Sequence, residues 1–80
     1  MKIGDEITLK SFNGKQIKPK KVYENENYWL LIGQKGRILE DNGDRFVVLF
    51  YCNIDSYGLE NHNPIKNSLF ILKSDLKILD

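Results

Sequence analysis

The sequence predicts an all-β domain, and three observations carry the prediction. Short runs rich in β-branched and aromatic residues alternate with turn residues along the chain. Asn-Gly pairs stand at 13–14 and 42–43, the second between two strongly apolar stretches. No stretch holds a sustained i, i+3, i+4 apolar stripe with capping residues at its ends, so helix signals are poor.

Glu6 to Lys10, EITLK, alternates polar and apolar and reads as the first strand. The connection SFNGKQIKPKKVYENEN is polar and contains an Asn-Gly turn signal and a proline. It is long for a small barrel, and loops of such length are usually functional or mobile. YWLLI follows as extended chain. A strand sends alternate residues to opposite sides, so Trp29 and Leu31 face one way and Tyr28, Leu30 and Ile32 the other. One set is core. The other needs a cover, either Phe12, Ile17 and Val22 folding back or a partner.

The next segment, RILEDNGDRFVVLF, predicts a hairpin. Asn42 and Gly43 offer the two positive-φ positions of a type I′ turn. With that loop Asp41 faces Asp44, Glu40 faces Arg45, Leu39 faces Phe46 and Ile38 faces Val47. Ile38, Val47 and Leu49 then share one face and Leu39, Phe46, Val48 and Phe50 the other. Glu40 opposite Arg45 adds a weak cross-strand ion pair. Apolar residues on both faces mean that neither side lies open to water.

LENHNPIKNS comes next, with three asparagines, His62, Pro64 and Lys66 ahead of the apolar run LFIL. Asn63-Pro64 favours extended or turn geometry, and asparagine tolerates left-handed backbone and bonds it locally. The segment is foremost a connector that satisfies its own backbone, with His62 and Lys66 projecting from a proline-stiffened loop. The final segment, LFILKSDLKIL, predicts strand, turn, strand. Ser74-Asp75 sits mid-run, where local side-chain bonding competes with a ladder and favours a turn.

Glycine and an acidic pair open GDEITL; two glycines flank the approach to the second strand in IGQKGRIL; the hairpin RILEDNGDRFVVLF and the closing FILKSDLKIL follow. In this order the pieces resemble an SH3-like small β-barrel over roughly residues 3–9 and 32–79. The resemblance implies about five short strands with a 3₁₀ turn before the last, and a binding module that meets ligands on its loops. The glycine-hairpin part is similar to KOW domains, but this chain lacks their basic character. Fold likeness does not name a ligand.

Eighty residues suit one domain, residues 1–80, near the lower end of what folds on a single core. The net charge is +1, with +3 on residues 1–40 and −2 on residues 41–80, milder than a dedicated nucleic-acid binder would carry. A single cysteine, Cys52, excludes an internal disulfide and fits a reducing compartment. MKIGDEITLK has no apolar signal core, and WLLI, FVVLFYC and LFIL are too short to span a bilayer. A soluble, cytoplasmic protein with no membrane partner is expected.

Cys52 and His62 fall short of the roughly four ligands of a structural zinc site. The Asp41–Asp44 loop is too short for a calcium cage. Cys52 ends an apolar strand, where cysteine is most often a small core residue, and no Gly-rich phosphate loop is present. No metal, cofactor or enzymatic activity is expected. Lys15, Lys18, Lys20 and Lys21 lie beside Phe12, Tyr23, Tyr28 and Trp29, the mixture single-stranded RNA or DNA needs, although Glu24 and Glu26 would repel phosphate. Asp55, Tyr57 and Glu60 make the other long loop acidic, and the two loops could pair with each other.

Small size, near-neutral charge and surplus aromatics point to a non-enzymatic protein-interaction module. One concrete form is a small bacterial immunity or antitoxin-like protein that blocks a partner such as a toxin. Another is an accessory domain docked to a larger subunit, and an RNA- or single-stranded-DNA-binding barrel is the alternative. Lys20, Lys21, Tyr28, Trp29, Asp55, Tyr57, Glu60 and His62 are the expected partner-binding residues.

Overall fold

Period-two patterning in this chain resolves into five antiparallel strands. The computed structural model describes residues 1–61 and 63–79. Strands β1 (Glu6–Leu9), β2 (Lys35–Asn42), β3 (Arg45–Phe50), β4 (Ser68–Leu72) and β5 (Leu76–Ile78) form one sheet in the order β4-β3-β2-β1-β5. The remaining regular elements are single 3₁₀ turns at Glu24–Glu26, Tyr28–Leu31, Ile54–Tyr57 and Lys73–Asp75, the last leading directly into β5. The fold is all-β, with the 3₁₀ turn where Ser74-Asp75 predicts it. Among the described residues no helix is long and apolar enough to cross a membrane.

Each strand turns its apolar alternates inward. Ile7 and Leu9 of β1, Ile38 of β2, Phe46, Val48 and Phe50 of β3, Leu69 and Ile71 of β4 and Leu76 of β5 are buried in one cluster. Full burial of side chains of this size contributes about 1.5–3 kcal/mol each. Cys52 packs against the cluster half-buried, as a small apolar residue at a strand end should. Burial pushes its thiol pKa up, away from the reactive thiolate.

The β2–β3 hairpin departs from the expected register. Asn42 pairs with Arg45, Asp41 with Phe46 and Glu40 with Val47, leaving Gly43 and Asp44 as the loop. Gly43 has φ +79° and Asp44 is not left-handed, the φ signs of a type II′ turn rather than type I′. A bulge at Leu39 then absorbs one residue, so Ile38 pairs with Val48 instead of Val47. The bulge puts Ile38 on the same side as Phe46, Val48 and Phe50, the one arrangement that buries all four. The displaced turn, not the bulge, replaces the expected Glu40–Arg45 pairing with Glu40–Val47.

A true two-residue turn with both central residues left-handed occurs at the other Asn-Gly. Asn13 (φ +50°) and Gly14 (φ +76°) close a small loop in which Phe12 and Lys15 exchange N–H···O bonds of 2.8 and 3.0 Å. The two Asn-Gly pairs thus behave differently because one hairpin must accommodate the bulge and the other is free of a long ladder.

LENHNPIKNS closes on itself as its amides predict. The Asn61 amide donates to the carbonyls of Asn63 (2.9 Å) and Ile65 (3.2 Å), and its Oδ1 accepts the Ser68 N–H. Asn63 Nδ2 donates to the Ser68 carbonyl at 3.0 Å. Asn67 takes φ +63° and its Oδ1 accepts the Ile54 N–H, pinning the 3₁₀ turn of Ile54–Tyr57. His62 lies outside the described residues.

Candidate functional site: an aromatic groove beside the lysine loop

YWLL is a 3₁₀ turn, not extended chain. With about three residues per turn, i and i+3 share a side. Tyr28 and Leu31 are therefore the buried pair, Trp29 is half-buried and Leu30 is 48% exposed. The alternating sets expected of a strand do not form. The turn is locked at its end by Gly33, whose φ of +94° redirects the chain while its N–H bonds the Leu9 carbonyl at 2.8 Å.

Phe12 supplies the cover that these residues need. Its ring lies 5.3 Å from Tyr28 and 4.9 Å from Trp29, the latter edge-to-face at 77°. Such pairs contribute about 0.5–1.5 kcal/mol beyond their buried area. Trp29 Nε1 donates to the Lys15 carbonyl at 3.2 Å, tying the 3₁₀ turn to the Asn13-Gly14 loop. Val22 folds back half-buried, but Ile17 is 82% exposed and covers nothing.

What the cover leaves is an open groove of about 340 Å³. Phe12, Tyr23, Tyr28 and Trp29 line it, Tyr23 standing 77% exposed, and Lys21 and Glu26 add one charge of each sign. Four rings within reach of one hollow offer broad apolar and π contact to an incoming side chain. The two opposed charges leave the groove without a net sign.

Of the predicted partner-binding residues, Lys21, Tyr28 and Trp29 meet at this groove. Lys20 is exposed next to it in sequence. Tyr28 is a wall of the core, only 8% exposed, with its hydroxyl donating to the Glu60 carbonyl at 2.7 Å. Burial, followed by the charges of Glu26 and Glu60, raises its pKa. Asp55 and Tyr57 sit apart on the Ile54–Tyr57 turn. Asp55 makes a loose 4.0 Å ion pair with Lys66, and the Tyr57 hydroxyl accepts from Gln34 Nε2 at 3.0 Å.

The two long loops do pair, at Asn25 and Glu60. Asn25 Nδ2 donates to Glu60 Oε1 at 2.8 Å, and the Glu60 N–H donates to the Asn25 carbonyl at 3.0 Å. Glu60 thereby links the groove side to the Ile54–Tyr57 side.

Asp75 has a structural role that local pattern does not reveal. It is 1% exposed, and its carboxylate accepts from Ser11 Oγ (2.6 Å), Asn13 N (2.8 Å) and Gly14 N (2.9 Å). Its own carbonyl accepts the Lys10 N–H at 2.9 Å. A residue expected to bond locally instead holds the loop that carries Phe12. Among the described residues no three His, Cys, Asp or Glu side chains gather as metal ligands. The chain matches no protein-family model, no curated protein and no solved structure.

Proposed function

We propose that this chain is a non-enzymatic protein-interaction module that receives its partner in the groove of Phe12, Tyr23, Tyr28 and Trp29. The observation that carries the reading is the groove itself: an open hollow of about 340 Å³ lined by four aromatic residues. Tyr and Trp dominate interface energetics because they bury much area with few rotors. Here Tyr28 and Trp29 are already held by ring contacts with Phe12, whose loop the Asp75 carboxylate anchors, so binding need order little beyond Tyr23. The strand order β4-β3-β2-β1-β5 and the 3₁₀ turn before β5 support the SH3-like likeness and, with it, a loop-borne binding surface.

A toxin-blocking, immunity-like protein is the concrete form that best suits the small size, the near-zero net charge and a preformed groove bounded by polar loops. A nucleic-acid ligand is the second reading, favoured by Lys21 lining the groove with Tyr23 and Trp29.

Capture from the native host with the wild-type chain, and in parallel with Tyr23→Ala and Lys21→Glu, tests both. These side chains are exposed, so their loss leaves the core intact. The expected result is a protein partner held by wild type and lost with Tyr23→Ala. Repeated capture of no protein, or a partner indifferent to both substitutions, counts against the groove. Retention of RNA or single-stranded DNA that falls steeply with salt moves the assignment to the second reading.

A further inference from the structure

The open edge of β4 is a second candidate surface, and it neighbours the groove: Leu69 and Phe70 share a small hollow with Phe12 and Tyr28. Its hydrogen-bonding pattern follows from its two ends. Phe50 N–H donates to the Asn67 carbonyl at 2.8 Å, and Lys73 N–H donates to the Asp44 carbonyl at 3.1 Å. In the register Val48↔Leu69 and Phe46↔Ile71, alternate residues between those ends direct their backbone groups at β3. Leu69 and Ile71 therefore complete the ladder, while Ser68, Phe70 and Leu72 point theirs away from the sheet.

Ser68 is covered. Its N–H is taken by Asn61 Oδ1 and the Ile65 carbonyl, and its carbonyl by Asn63 Nδ2. Leu72 leads into the 3₁₀ turn of Lys73–Asp75. Among the described residues of β4, Phe70 alone presents both a donor and an acceptor without a partner to the open side. Its side chain is 44% exposed and borders a hollow of about 300 Å³ lined also by Val47, Pro64 and Ile65.

We propose that β4 pairs with β4 of a second copy of this chain, antiparallel about a two-fold axis at Phe70. A dyad at a residue that owns one donor and one acceptor satisfies both through two reciprocal N–H···O=C bonds. The two Phe70 rings then lie side by side on one face, and the hollow by Val47, Pro64 and Ile65 takes the ring that crosses the edge. Exposed strand edges are commonly guarded by charge, proline or a bulge. Residues 68–72, SLFIL, carry none of these, and a net charge of +1 gives two copies no long-range repulsion. The opposite edge is less suited: β5 has three residues, and the Leu76 N–H is already held by the Lys73 carbonyl.

Sedimentation of the full chain from about 10 μM to about 1 mM tests this, a range suited to a small contact. The expected result is a concentration-dependent rise toward twice the monomer mass. Phe70→Lys and Phe70→Pro should each shift its midpoint by about tenfold or more. Proline there spares the β3 ladder, because the Phe70 N–H is not part of it. Amide exchange on the wild type needs no variant: the Phe70 N–H should gain protection as concentration rises, while Leu69 and Ile71 stay protected throughout. A monomer across the whole range, or a dimer whose Phe70 amide exchanges freely, overturns the proposal.

Discussion

Asp75 Oδ1 lies 2.6 Å from Ser11 Oγ, joining residues 64 positions apart inside the protein. The same carboxylate caps the amides of Asn13 and Gly14, so the turn before β5 and the loop after β1 form one unit. Hydrogen bonds to a charged acceptor contribute about 1.5–3 kcal/mol each, and a buried partner left unpaired costs more than the bond itself. Asp75→Ala should therefore destabilise the fold by about 3 kcal/mol or more, and Ser11→Ala by about 1–2 kcal/mol. Denaturant unfolding of the two variants checks the ranking. Equal midpoints for Asp75→Ala and wild type would remove the linkage from the account.

Gly36 tells the same story through sterics. It lies in the central strand β2, paired with Ile7 on one side and Phe50 on the other. A Cβ built there comes within 2.5 Å of the Leu49 carbonyl oxygen, and backbone cannot step aside cheaply. Gly36→Ala should cost about 3 kcal/mol, in the upper range for overpacking. Gly33→Ala, strained only by its φ of +94° with open space around it, should cost about 1 kcal/mol. Thermal melts of the pair decide, and a reversed order would mean the close approach is not real.

Alkaline stability should depend on Tyr28. Burial raises its pKa in the folded protein above the ordinary value of 10.0. The folded state thus holds the phenolic proton more tightly than the unfolded chain. The resulting stabilisation is fully present below about pH 10 and is lost as pH rises through the folded value. Tyr28→Phe should flatten the alkaline limb of a stability–pH curve and lose about 1 kcal/mol at neutral pH with the bond to the Glu60 carbonyl. An unchanged alkaline limb contradicts this.

Acid behaviour has a smaller lever in Asp41. Its Oδ1 lies 2.8 Å from Lys73 Nζ, and that hydrogen bond lowers its pKa below the usual 3.8. The ammonium's charge and the Gly43 N–H also lower it, against a partial opposing effect of desolvation. A depressed carboxylate contributes stability above its unfolded pKa and loses it as pH falls through the folded value. Carboxyl NMR titration should find Asp41 below the ordinary range, and Lys73→Met should return it there. No movement in that variant would separate Asp41 from Lys73.

Trp29 reports directly on the groove. Half-buried against Phe12 with its indole N–H bonded to the Lys15 carbonyl, it should emit between the buried and fully solvated limits and remain open to acrylamide. Phe12→Ala should shift its emission to the red and steepen quenching. Emission as blue and protected as a fully buried indole would close the groove.

Much of this molecule is written in short-range pattern. EITLK alternates, and β1 forms there; Ser74-Asp75 interrupts an apolar run, and the chain turns there; the asparagines of LENHNPIKNS bond their own loop. Period-two burial and turn chemistry depend on a few neighbouring residues, so they can be read without knowing the rest. The YWLL turn, the bulge at Leu39 and the reach of Asp75 to Ser11 could not be read that way. Each depends on what another part of the chain offers in space. Tyr28 and Leu31 go inward together because a core waits there, Ile38 shifts register because Phe46, Val48 and Phe50 share its face, and Asp75 finds amides more than sixty residues away. The aromatic groove belongs to that second group: its residues all come from the one long connection between β1 and β2, and packing alone folds that connection so that their rings surround one hollow.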